Sequence, residues 1–192
     1  MATYKEIHGT DIEVVASDPS NPLVGEVWYN TTTQKLKGYR QVIGNAWSTG
    51  GNLNTARNEI ASAGTQTAGL AFGGTPAAGL TEQYNGSAWT EVADMNTARS
   101  DFPGTGATNT AALAFGGASP IVALTETWNG SSWTEVGDMN TARQALGGSG
   151  TSTSALAFGG IVTVNLANNE SWNGSAWTEV GDLNTARRGL RG

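Results

Sequence analysis

At 192 residues the chain can bury the core of one domain, and with no Cys it has no disulfides, thiolate metal sites or Cys nucleophiles. Charged residues are only 14% of the chain, and ten Lys and Arg against sixteen Asp and Glu leave a net charge of −6. That excludes a basic track for nucleic acid or an anionic membrane surface, and no apolar run reaches the roughly 18 residues needed for insertion into a bilayer. The 27 Gly and seven regularly placed Trp point to short strands joined by tight turns rather than to disorder.

Residues 1–22 read as an N-terminal strand or arm. Met1–Lys5 has no apolar signal segment. Ile12-Glu13-Val14-Val15 alternates as a strand does, and Asp18-Pro19-Ser20-Asn21-Pro22 marks a turn. Val27-Trp28-Tyr29-Asn30 and Lys35-Leu36-Lys37-Gly38-Tyr39 then read as two strands around a Thr31–Gln34 turn, and Asn45-Ala46-Trp47 as the start of a third.

From residue 54 onward the chain repeats. Asn-Thr-Ala-Arg occurs at Asn54–Arg57, Asn96–Arg99, Asn140–Arg143 and Asn184–Arg187, spaced by 42, 44 and 44 residues. Phe-Gly-Gly starts at Phe72, Phe115 and Phe158, each after an apolar run, and Asn-Gly-Ser-x-Trp-Thr-Glu-Val places Trp89, Trp133 and Trp177 44 residues apart. Landmarks sharing one period of this length mark a repeat architecture. Each unit predicts four short strands: one after the Arg, one ending at Phe-Gly-Gly, one before Asn-Gly, and the Trp-Thr-Glu-Val run.

Tyr29 lies 43 residues before Phe72, so residues 23–50 are expected to supply strands two to four of a unit that lacks strand one. The C-terminal Arg188-Gly189-Leu190-Arg191 is expected to supply that strand. On this reading the fold is all-β, a small β-propeller over 23–192 with four blades of four strands, closed by pairing of the C-terminal strand with the N-terminal strands.

The recurring residues are read as structural. Phe72, Phe115 and Phe158, with Leu70, Leu113 and Leu156 two positions earlier on the same face, are expected between units, as are Trp47, Trp89, Trp133 and Trp177. Arg57, Arg99, Arg143 and Arg187 are expected to bond backbone carbonyls or carboxylates, with Glu82, Glu126 and Glu170 as candidates. A ring of Arg that binds a ligand is the alternative. Asp94, Asp138 and Asp182 read as turn caps rather than calcium ligands. No metal or other cofactor is expected.

Phe72-Gly73-Gly74, Tyr84, Trp89 and Arg99, and their two later copies, together resemble kelch repeats. That resemblance implies a propeller used for binding. The copper chemistry of some kelch-type enzymes needs a Cys-linked Tyr and is excluded here, with no Cys and a single His, His8. Ser17–Pro22 followed by Gly25–Thr33 resembles stretches of bacteriophage tail-fibre and other virion proteins. It implies a non-enzymatic structural or adhesive virion component, with other virion proteins or a host-surface glycan or protein as partners, and self-association as a further option. The loops Gly74–Leu80, Gly117–Leu124 and Gly160–Asn165 vary most between repeats and are the expected contact points. An intracellular protein-interaction adaptor is the second reading. Carboxylates that recur with the repeat give no isolated acid–base pair for catalysis.

Overall fold

The computed structural model describes residues 12–22, 25–39, 49–76 and 79–190. The chain divides into two compact units, Met1–Ser48 and Thr49–Gly192.

In the first unit, β1 (Glu13–Val15), β2 (Val27–Asn30) and β3 (Lys35–Gly38) form one sheet in that order. β1 runs parallel to β2 and β3 antiparallel to it. Asp18 ties the sheet together. Its carboxylate accepts from Trp28 Nε1 at 3.0 Å, Asn30 Nδ2 at 2.7 Å and Lys37 Nζ at 2.6 Å. These donors, Lys37 first, hold Asp18 down to a pKa of about 2.

The second unit holds three antiparallel sheets, each a four-stranded meander. The first is β4 (Ala61–Thr65), β5 (Ala68–Phe72), β6 (Thr81–Tyr84) and β7 (Trp89–Val92). The second is β8 (Gly104–Thr108), β9 (Ala111–Phe115), β10 (Thr125–Trp128) and β11 (Trp133–Val136). The third is β12 (Gly147–Gly150), β13 (Ala155–Phe158), β14 (Asn169–Trp172) and β15 (Trp177–Val180). The last hairpin of each sheet turns through four residues. In the first, Asn85 Oδ1 accepts from Ser87 N and Ala88 N while Gly86 takes φ 95°, and Asn129 and Asn173 repeat the arrangement.

Each sheet buries one face against the next. Leu70 and Phe72 of the first sheet pack with Ala112, Ala114, Trp128 and Trp133 of the second. Leu113 and Phe115 of the second pack with Ala155, Ala157, Trp172 and Trp177 of the third. The Phe and Trp rings meet at 4.8 and 4.9 Å between centroids. Burial of each large side chain contributes about 1.5–3 kcal/mol. The Phe rings need a neighbour without a side chain: a Cβ at Gly104 would lie 2.4 Å from Phe72 Cζ, and one at Gly148 2.7 Å from Phe115 Cζ.

The sheets are separate and open, which corrects the expected closed, four-bladed kelch-like propeller. The sheet of β1–β3 takes its extra strand from residues 13–15, nearby in sequence, and not from the C-terminus. Residues 188–190 form no strand. Gly189 N donates instead to Ala145 O at 2.8 Å, and Leu190 lies against Gly147 and Gly159. Arg57, Arg99 and Arg143 each pair with a Glu on the third strand of the sheet that follows them, and Arg187 pairs with no carboxylate among the described residues.

Candidate binding face

Strand direction brings two sets of connections to the same end of each sheet. One set leads into strands β4, β8 and β12. The other joins the second and third strands. They are bonded pairwise: Asn58 with Thr75 at 3.0 and 2.9 Å, Ser100 with Ala118 at 3.4 and 2.8 Å, and Gln144 with Ile161 at 3.1 and 2.9 Å.

The residues that follow these pairs form a short chain of backbone hydrogen bonds. Asp101 N donates to Glu59 O at 3.3 Å, Ala145 N to Asp101 O at 2.9 Å, and Gly189 N to Ala145 O. All four residues have positive φ, at 54°, 54°, 52° and 67° along the chain. Their segments enclose a cavity of about 190 Å³, with Glu59, Asp101, Phe102, Pro103, Leu146 and Leu190 in its wall. Two carboxylate-bearing residues and apolar surface favour a neutral or cationic group there over an anion.

Around this end stand the three variable loops. Residues 75–80 include a cis Thr75-Pro76 bond, and 118–124 a cis Ser119-Pro120 bond. In the third loop Val162 and Val164 are 40% and 66% exposed. Each loop is one residue longer than the one before, if counted between Gly-Gly and the next strand (75–80, 118–124, 161–168).

What holds the loops still is the Arg set. The guanidinium of Arg99 is buried and donates to the carbonyls of Gly116, Leu124 and Ala114 at 3.3, 2.7 and 3.4 Å, and to Glu126 Oε1 at 3.1 Å. Arg57 repeats this with Gly73, Leu80, Ala71 and Glu82. Arg143 donates to Ala157 O at 3.2 Å and lies 3.2 Å from Glu170 Oε1. Each Glu also accepts the backbone amide of the motif's Asn, at 2.7 Å from Asn54, 2.8 Å from Asn96 and 2.7 Å from Asn140. Burial lowers the pKa of all three Arg and the paired Glu opposes that shift. The first Gly-Gly seats the motif's main chain: Gly73 has φ 69°, a Cβ there would lie 2.9 Å from Arg99 O, and Gly74 N donates to that carbonyl at 3.0 Å.

Arg57, Arg99 and Arg143 are therefore committed to the frame. Arg187 is exposed, and its Nε donates to Thr185 O at 3.2 Å. Phe72, Phe115, Trp133 and Trp177 lie between sheets; Trp89 and Phe158 are half-buried at the two outer faces; Trp47 lies outside the described residues. Asp94 and Asp138 accept at 3.4 and 3.3 Å from Thr81 N and Thr125 N, at the start of the third strands. Among the described residues, no group of three or more His, Asp or Glu is arranged to hold a metal. Sequence reasoning missed Glu59, Asp101 and Ala145. The available signal was Gly189, which stands two residues after Arg187 as they stand after theirs, and so marks the position as one needing positive φ.

Compared with known proteins, the chain matches no family model and no curated protein sequence. Together with the open sheets, this removes the support for kelch or tail-fibre kinship, whose shared residues here reduce to a locally similar strand-and-turn pattern.

Proposed function

We propose that this is a non-enzymatic structural or adhesive protein that holds a glycan or a protein segment at the loop end of its second unit. The observation that carries the reading is the division between a repeated frame and unlike loops. Buried Arg–Glu pairs and Gly-Gly turns recur in each of the three sheets of the second unit, while the segments they fix differ in length and chemistry. The cavity between Glu59, Asp101, Phe102 and Leu190 suits one neutral sugar ring or an apolar or basic side chain. The exposed Val162 and Val164 of the third loop favour a partner with an apolar portion.

A glycan array and a peptide display library, probed with the full chain, test the binding. A ligand whose capture falls at least tenfold in Val164→Asp and in Asp101→Asn, with the fold unchanged by circular dichroism, supports the reading. Capture unaffected by both substitutions, or no capture of any probe at high protein concentration, overturns it.

A further inference from the structure

The two internal sheet–sheet joints use one contact set. The later sheet gives a Trp from its fourth strand. The earlier sheet receives it on the Phe of its second strand and on a Thr hydroxyl at the start of its third. Trp133 Nε1 donates to Thr81 Oγ1 at 2.9 Å, and Trp177 Nε1 to Thr125 Oγ1 at 2.9 Å.

The third sheet carries the receiving set, and among the described residues of the second unit no further sheet packs upon it. Phe158 is half-buried where Phe72 and Phe115 are fully buried, Leu156 is 42% exposed where Leu70 and Leu113 are 0%, and Val180 is 38% exposed. Asn169 stands in the register position of Thr81 and Thr125, opposite Phe158 and Val180. Its Nδ2 donates to Gly181 O at 3.2 Å, while its Oδ1 is buried and has no hydrogen-bond partner. The first sheet carries the inserting set on its own outer face. Trp89 and Tyr84 stack at 5.0 Å, and Trp89 is only half-buried, against 5% and 6% exposure for Trp133 and Trp177. Its Nε1 donates to the exposed carbonyl of Gly51 at 3.0 Å. Gly69 stands where Ala112 and Ala155 line the other inserting faces.

We infer that the outer face of the third sheet docks the first sheet of a second copy of this chain, head to tail, through the Trp-on-Phe contact of the internal joints. Trp89 of the incoming copy would rest on Phe158 and donate to Asn169 Oδ1. Because the two faces differ, the contact leaves one of each free on the dimer and extends to longer stacks. Residues 184–190 of the receiving copy, whose Leu190 already lies against Gly147 and Gly159, must give way to residues 54–60 of the incoming copy, whose Arg57 already holds Glu82.

Sedimentation of the full chain over a concentration series tests this. The weight-average mass is expected to rise with concentration beyond a dimer. Gly69→Glu spoils the inserting face and Leu156→Glu the receiving face, and each variant alone is expected to stay monomeric. Mixed in equal amounts they are expected to form a dimer that grows no further, since each keeps one good face. Asn169→Val, which removes the unused acceptor, is expected to weaken association about tenfold. A wild-type chain that is monomeric throughout, variants that associate like wild type, or a mixture that stays monomeric would each overturn the inference.

Discussion

Removal of Arg99 from water costs more than any one of its contacts returns, which is why the pair must be considered as a unit. A buried ion pair is a weak source of net stability, but half of one is a large loss. Glu126→Gln is expected to destabilise the second unit by about 3–5 kcal/mol in urea unfolding, whereas Arg99→Met with Glu126→Leu is expected to cost less than the single change. At Asp18 the effect is smaller, because its carboxylate is 46% exposed and solvent screens its partners. The carboxyl's pKa is depressed in the fold from 3.8 to about 2. Its contribution is thus complete above pH 3.8 and is lost as pH falls toward 2. The Trp28 indole proton, followed by NMR through that window, is expected to shift with a midpoint near 2. A midpoint at the ordinary carboxylate value would show that the three bonds are not formed. The Arg–Glu pairing was legible in the sequence, since a charge that recurs inside a fixed string has an architectural duty. The unlike fate of Arg187 was not, because the same Asn-Thr-Ala-Arg string stands at all four places.

The sheets of the second unit pack face against face, and that contact depends on glycine. Gly104→Ala drives a methyl into the Phe72 ring and is expected to cost about 1–3 kcal/mol. Gly181→Ala meets nothing within 4 Å and is expected to change stability by less than about 0.5 kcal/mol. Equal effects at the two sites would mean that the Phe–Gly contact is not formed. The strands at Val27–Asn30, Ala155–Phe158 and the three Trp-Thr-Glu-Val runs stand where short apolar or aromatic stretches are bounded by turn residues, so those boundaries placed them. The first strands begin several residues beyond the Arg, because residues 58–60, 100–102 and 144–146 are used to turn the chain at positive φ. That requirement shows in no hydrophobic pattern, and only Gly189 hinted at it.

In the second unit the middle sheet has a sheet packed on both faces and the third, among the described residues of that unit, on only one. Residues 112–115 of β9 are all 0% exposed. Their amides are expected to exchange most slowly, and those of β13 and β14 measurably faster; a uniform rate across the three sheets would contradict an open stack. The period of the repeat was plain in the sequence, but ring closure was not to be had from counting. Closure needs the last repeat to find the same socket as the others, and period says nothing about whether that socket exists. For the same reason deletion of residues 185–192 is expected to expose only the edge of the third sheet, with the first two sheets still folded by circular dichroism and proteolysis.

The Arg that leaves one sheet and locks in the next has a bearing on inheritance. Every joint is written in a stretch of chain that starts after one Arg and finishes at the following one, so a segment such as 100–143 carries both a plug and a socket. An in-frame duplication of that segment would bring its own fittings at both ends. Such a chain could lengthen by whole sheets through slippage of its gene, each new sheet adding a further loop without disturbing those already in place.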